Sequence, residues 1–290
     1  MKPYKPERIF MPLFQVIVLA VVQGFAELLP VSSSAHVIVA EKLMGLDPSA
    51  PAMTLLLVML HTGTMFAVIV YFWSDWVKNY FQTSFKGWAF VKQIFLATIV
   101  TGAVGLGLKM MIEKVFMRGA AHAEVEMLFG NLKLISIALA CAGFLILWAA
   151  FREKYSNNDQ GLGPDESIWI GFVQGLCLPF RGFSRSGATI STGILLKISK
   201  AKAEEFSFAL AVVLTPFVDL REIHRALKAH AAAPTGSLSS LFIPGLVGMA
   251  LSFAAGLLAL RWLSSWLSHG RWKFFGFYCL AFSVLVWLLK

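Results

Sequence analysis

Charge is scarce in this sequence, and so is cysteine. Charged residues fill 14% of the 290 positions, against about a quarter in ordinary soluble domains. A chain so poor in charge, with 58% hydrophobic residues and a mean hydropathy of +0.72, cannot hide its apolar surface in one aqueous core. The three cysteines, Cys141, Cys177 and Cys279, are far apart in apolar segments. That spacing excludes a disulfide scaffold or a zinc framework and leaves packing as their use. Polar stretches are also short, and none is long enough to form a separate soluble domain.

What the sequence does have is a succession of apolar runs near or above the roughly 20 residues that cross a bilayer. They are Leu13 to Leu29, Pro51 to Trp73, Phe90 to Leu108, Leu132 to Phe151, Phe206 to Val218, Leu241 to Leu260 and Trp272 to Leu289. The expected fold is an all-α integral membrane protein, a polytopic helical bundle. The net charge of +9 sits in short segments between runs, as in Lys2, Lys5 and Arg8 or Lys197, Lys200 and Lys202. Placed there, it indicates headgroup anchoring rather than nucleic acid. The basic start followed by an apolar stretch resembles a secretory signal with Ser33 and Ala35 near a cut site. Against cleavage, that region carries the most specialised residues of the N-terminal half.

The most polar segment, Arg152 to Ser167, has the Gly, Pro, Asn and Asp content of an aqueous loop. It divides one membrane domain, 1–290, into halves of about 1–151 and 168–290. Two shorter loops are expected at Asp47 to Ala52, around Pro48 and Pro51, and at Ala229 to Ser240, around Pro234 and Gly236. A weak repeat links the halves. Val22 to Gly24 and Val173 to Gly175 both read V-Q-G, and ten residues beyond Gln23 and Gln174 stand Ser33 and Ser184. Pro30 and Pro179 interrupt the two intervals. Proline removes a backbone donor and clashes with the preceding turn, and polar backbone freed at membrane depth is tolerated only around a protein-lined cavity. Two such interrupted segments predict a site at the interface of the repeats.

The residues around the breaks are those an anion would need. Gln23 and Glu27 are four apart and share a helix face. With Ser33 as N-cap, His36 falls at the third helical position, beside the helix mouth. Ser184 can cap a second helix running through Arg185, Ser186, Gly187 and Thr189. Two convergent helix N-termini offer free N–H groups and positive dipole ends suited to phosphate, and the Arg185 fork can hold its oxygens in pairs. Around such an anion Ser33 would be the nucleophile, Glu27 a base or cation ligand, and His36 the proton donor to the leaving group. Each piece also has a plain reading: a serine cap, an interfacial histidine, a structural Glu27–Arg185 ion pair. Their joint occurrence at both breaks favours function. His61 would line the cavity or serve structure, and Asp219, Arg221, Glu222 and Arg225 would form a solvated helix end.

The string Q-G-F-A-E-L-L-P-V-S-S-S-A-H, Gln23 to His36, resembles the E-G-x-T-E-F-L-P-V-S-S-T-G-H signature of the undecaprenyl-diphosphate phosphatase family, the bacitracin-resistance (BacA) proteins. R-G-F-S-R-S-G-A-T, Arg181 to Thr189, is similar to that family's P-G-F-S-R-S-G-A-T, and E-F-S-F-A-L-A-V, Glu205 to Val212, also looks like the family. The resemblance implies an inner-membrane, multi-pass enzyme with inverted-topology repeats and two re-entrant helical hairpins. It would hydrolyse undecaprenyl diphosphate to undecaprenyl phosphate, the lipid carrier of cell-wall precursors, with a divalent cation, Mg or Ca. By motif position Glu27, Ser33, His36 and Arg185 match the functional residues, and Ser184 and Ser186 line the phosphate site. Gln23, Ser32, Ser34 and Thr189 complete the expected substrate-binding set, with Glu27 as the metal ligand.

Three departures stand out. Gln23 replaces an acid, Ser34 and Ala35 replace threonine and glycine, and Arg181 replaces proline, which would put a second positive charge near the anion. The expected partners are the polyprenyl diphosphate lipid, membrane lipids and a second copy of the chain in a homodimer. The rival reading is an anionic polyprenyl-lipid transporter or flippase, which needs the same anion site but no nucleophile.

Overall fold

The computed structural model describes residues 12–47, 50–116, 128–153, 161–232 and 242–289. Ten α-helices follow one another among them: α1 (Leu13–Leu28), α2 (Ser33–Leu43), α3 (Pro51–Tyr80), α4 (Ser84–Met111), α5 (Leu132–Glu153), α6 (Pro164–Cys177), α7 (Arg185–Leu195), α8 (Lys200–Ala232), α9 (Phe242–Ser268) and α10 (Lys273–Leu288). A π-helical turn, Ile112–Phe116, prolongs α4. Every regular element among the described residues is helical, as the apolar runs predict. Lys2, Lys5, Arg8, Pro48, Pro234 and Gly236 lie outside the described residues.

Local chemistry sets the helix starts. Pro51 and Pro164 open α3 and α6, where a missing N–H costs nothing. Thr83 caps α4 by accepting from the Lys86 N–H at 3.3 Å. Glu166 reaches back to the Gly163 N–H at 2.9 Å, so α6 begins inside the segment assigned above to the polar loop.

Among the described residues four helices are long and apolar enough to cross a membrane: Met53–Tyr80, Ser84–Lys114, Leu132–Arg152 and Phe242–Ser268. Their outward residues fit that medium. Phe66, Val70 and Trp73 on α3, Phe95 and Leu106 on α4, and Phe144 and Trp148 on α5 are exposed, a surface that water would penalise and lipid would not. Within the bundle, small residues let backbones approach. A side chain on Gly63 would collide with the Met249 carbonyl of α9, and one on Gly171 with the Ala97 carbonyl of α4. Buried hydroxyls reinforce these crossings: Ser252 Oγ donates to the Leu60 carbonyl at 2.9 Å and Thr101 Oγ1 to the Gly171 carbonyl at 3.0 Å.

The apolar run Phe206 to Val218 lies within one long helix, α8, which continues through Pro216. Asp219 does not belong to a solvated helix end, because it is buried and Thr62 Oγ1 of α3 lies 3.4 Å from its Oδ2. Helix packing, not the charged residues beside it in sequence, determines its environment.

At the start of α8, before its apolar run, two acids sit side by side under α3 and α9. Glu204 is buried and accepts from Ser264 Oγ at 2.7 Å, and Ser264 Oγ accepts from the Tyr71 hydroxyl at 3.0 Å. Glu205 takes both oxygens to the Asn79 amide, at 3.0 and 3.2 Å. Burial pushes the Glu204 carboxyl up to about 8; the Ser264 hydrogen bond opposes the rise, and the charges of Glu205 and Asp75 add to it. The folded state therefore holds a proton here that the unfolded chain gives up above its ordinary carboxylate value. Stability is full below that value, falls as pH rises and levels off above about 8. Thermal unfolding in detergent between pH 5 and 8.5 is expected to show this fall, and Glu204→Gln to flatten it; an unchanged slope in that variant would assign the dependence to other groups.

Candidate active site

The two proline-interrupted segments meet at one carboxylate. α1 stops at Leu28 and α2 starts at Ser33, with Pro30 between; α6 stops at Cys177 and α7 starts at Arg185, with Pro179 between. Ser33 and Arg185, the first residues of the two restarted helices, both bind Glu27. Arg185 Nη2 donates to Glu27 Oε1 at 2.7 Å, and Ser33 Oγ donates to Oε2 at 2.6 Å. Gln23, one turn back on α1, adds its Nε2 to Oε2 at 3.2 Å. His61 of α3 brings its Nε2 to 3.7 Å from the same oxygen. The side chains of Glu27 and Arg185 are only 16% and 21% exposed, so each charge depends on the other.

The breaks are shaped for this meeting. Ser32 takes a positive φ of 70° as the N-cap of α2, accepting from the Ala35 N–H at 3.5 Å. A positive φ in a residue other than glycine costs about 1–3 kcal/mol and persists only where its surroundings hold it. The cap is thus Ser32 rather than Ser33. The one-residue shift frees the Ser33 hydroxyl to reach Glu27 and moves His36 to the fourth helical position. In the other half Ser184 is the N-cap of α7, accepting from the Gly187 N–H at 3.2 Å. Gly182 has φ 101° and lies against the Ile135 carbonyl, a place with no room for a side chain.

The remaining residues singled out from the sequence take other posts. Ser186 Oγ donates to the Leu29 carbonyl at 3.3 Å, tying α7 to the first break. Thr189 Oγ1 donates to the Arg185 carbonyl at 2.9 Å and pairs with Ser207 Oγ at 2.6 Å. Ser34 is half-buried on α2. His36 stands outside the Glu27 group, with Nδ1 2.8 Å from the Ser32 carbonyl and Nε2 2.7 Å from the Tyr278 hydroxyl. The guanidinium of Arg181 lies 4.4 Å over the Phe129 ring and interacts with Glu41, a different task from neutralising an anion beside Arg185.

A small, open pocket lies beside Glu27 and Arg185, with Thr64, Val212 and Thr215 among its lining. Pro216 has no N–H, so the Val212 carbonyl on this wall lacks its helical donor. Asp219 interacts electrostatically with both His61 and Glu27 and adds a second acid to the surroundings. Sequence reasoning left His61 undecided and missed Asp219 and Tyr278, whose roles depend on contacts between helices distant in sequence. Among the described residues no three His, Cys, Asp or Glu side chains are grouped closely enough to hold a metal ion.

Interrupted helices that converge on a serine, a carboxylate and an arginine within an apolar bundle define a polytopic membrane protein with a polar site where its two helix breaks meet. The chain belongs to the bacitracin resistance protein BacA family, which it matches over residues 16–285. It is 60% identical over 282 residues to undecaprenyl-diphosphatase 2 of Acinetobacter baylyi, covering 95% of this chain and 97% of that protein. It is also 29% identical over 290 residues to an undecaprenyl-diphosphatase of Korarchaeum cryptofilum (95% and 98% covered), and 26% identical over 283 residues to one of Bdellovibrio bacteriovorus (96% of each).

Removing one partner of a buried ion pair strands the other. Arg185→Ala is expected to destabilise the protein by about 3–5 kcal/mol, and pairing it with Glu27→Gln to recover most of the loss. Unfolding in detergent checks this; equal stability of Arg185→Ala and the parent would show that the pair is solvated.

Proposed function

We propose that the chain is an undecaprenyl-diphosphate phosphatase, hydrolysing undecaprenyl diphosphate to undecaprenyl phosphate and inorganic phosphate. The observation that carries this reading is the Ser33 hydroxyl, which points its proton at Glu27 while Arg185 lies against the same carboxylate. A transporter would need the anion site but not a hydroxyl bound to a base. The activity matches that named for the relatives, and it would recycle the lipid carrier for peptidoglycan synthesis and confer bacitracin resistance.

In this reading the terminal phosphate enters between the starts of α2 and α7, where free N–H groups and the Arg185 fork receive its oxygens. Glu27 takes the Ser33 proton as Oγ attacks the terminal phosphorus. The bond to the bridging oxygen breaks and undecaprenyl phosphate leaves, with His36 donating a proton to it. Water then cleaves the Ser33–phosphate bond, giving a proton back to His36, while the serine oxygen recovers its proton from Glu27 and inorganic phosphate departs. Little covalent work falls to the protein beyond this, so positioning and charge neutralisation carry most of the rate.

A divalent cation, Mg or Ca, fits as a companion of the substrate rather than a resident of the empty protein. Magnesium in particular is commonly held by one or two carboxylates together with substrate phosphates, and Glu27 is the carboxylate at hand. Such an ion would neutralise charge on the diphosphate. Gln23 bears on this requirement: its amide donates to Glu27 at 3.2 Å, whereas a glutamate there would repel Glu27 unless a proton or cation joined the two. The proposed setting is the bacterial inner membrane. The chain would form a single domain there, with inverted-topology halves whose α1–α2 and α6–α7 pairs are re-entrant hairpins, and would assemble as a homodimer.

Purified protein in detergent with Mg or Ca is expected to release phosphate from undecaprenyl diphosphate. Ser33→Ala should lower release by about 100-fold or more while lipid binding persists; retained turnover would remove Ser33 as nucleophile, and no release from folded parent protein with either cation would sink the assignment. Gln23→Glu should make activity depend more steeply on cation concentration, and an unchanged cation titration would show that position 23 does not act through Glu27.

A further inference from the structure

The 2.6 Å hydrogen bond from Ser33 to Glu27 joins residues that belong to different helices, α2 and α1. Within one helix the regular repeat would set such a distance. Here it is set by the backbone of the break, Leu29 to Ser32. All four of these residues are buried, so their carbonyls call for hydrogen-bond partners. One partner is local: the Val31 N–H donates to the Leu29 carbonyl at 2.8 Å, closing a three-residue turn. Pro30 has no N–H to contribute.

Two further donors come from helices distant in sequence. Ser186 Oγ, on α7, donates to the Leu29 carbonyl at 3.3 Å, and Cys279 Sγ, on α10, donates to the Pro30 carbonyl at 3.3 Å. Both side chains are buried. The second break is built differently, because its turns are closed by its own backbone. The Leu178 N–H donates to the Gly175 carbonyl at 3.3 Å, Phe180 to Cys177 at 3.3 Å and Phe183 to Phe180 at 3.1 Å. The break held from outside is thus the one that lies between the base and the serine.

Consecutive residues of α7 divide the work. Arg185 takes the Glu27 carboxylate just before the break, and Ser186 takes a carbonyl inside it. A hydroxyl has one proton to give. That of Ser186 is committed to Leu29, which leaves none for a phosphate oxygen.

We propose that Ser186 and Cys279 are positioning residues of the phosphatase, clamping the Leu29–Pro30 turn from α7 and α10 so that the Ser33 hydroxyl stays on Glu27. The proposal rests on the reading of Ser33 as nucleophile given above. Neither residue touches the reacting atoms. Their effect falls on the chemical step, where a misplacement of about 1 Å can cost about 100-fold, and not on the hold that Arg185 and the helix N-termini have on phosphate.

Phosphate release from undecaprenyl diphosphate by the full chain in detergent separates the two roles. Ser186→Ala is expected to lower kcat by about tenfold or more, with KM and the inhibition constant for inorganic phosphate within about twofold of the parent. A kcat within twofold of the parent would overturn the clamp. So would weaker inhibition by phosphate, with or without a loss of kcat, because that is the mark of a phosphate ligand. The thiol is the weaker donor, so Cys279→Ala is expected to lower kcat by only about threefold, and Cys279→Ser, which keeps a donor at the turn, to restore it. Full activity in Cys279→Ala, or equal losses in the two variants, would reduce Cys279 to packing and overturn its part. This pair carries the test if Ser186→Ala does not fold. A fully active Ser33→Ala protein would overturn the nucleophile and the clamp together, whereas an inactive Ser33→Ala beside a fully active Ser186→Ala overturns the clamp alone.

Discussion

The Glu27–Arg185 ion pair is the contact on which the architecture depends. Its partners are 158 residues apart, and neither charge is stable alone in an apolar bundle. Bringing them to 2.7 Å brings together the two places where helices stop and restart, and so fixes α1, α2, α6 and α7 around one point. The rest of the site is assembled on the same carboxylate: Gln23 and Ser33 by hydrogen bond, His61 by proximity. Glu27 occupies the position between two helix N-termini that suits a phosphate. The site at rest is therefore neutralised by its own acid, with the arginine already held by Glu27.

Much of this was legible from residue order because polar residues are so rare in the chain. Glu27, Ser33 and Arg185 stand out against apolar runs, and the two prolines mark where helices must break. The choice among Ser32, Ser33 and Ser34 was not legible. Three consecutive serines are equivalent as caps in sequence, and the selection of Ser32 follows from a positive φ held by His36 and Ala35. The orientation of His36 was equally hidden, since its partner Tyr278 is 242 residues away on a helix whose sequence is otherwise apolar. Asp219 misled because its neighbours Arg221, Glu222 and Arg225 suggest solvent, whereas α3 covers it.

The two interrupted segments follow the same order of helix, proline break and serine-capped helix but differ in their polar contacts. Gln174, the counterpart of Gln23, donates to Thr101 Oγ1 at 3.1 Å and helps bind α6 to α4. Four residues beyond it stands Leu178, where the first half has Glu27. The acid and the serine that answers to it therefore come from one break and the arginine from the other, and each half is chemically incomplete.

That division has a consequence for how the protein is made. Glu27 is synthesised long before Arg185; at about 5–20 residues per second, the separation of 158 residues takes roughly 8–30 s. During that interval the carboxylate is without its cation, and the donors nearest in sequence are the Gln23 amide and the Ser33 hydroxyl. Gln23 is thus a temporary host as well as a member of the finished site. It covers, with no charge of its own to be neutralised, an acid whose proper partner has not yet left the ribosome.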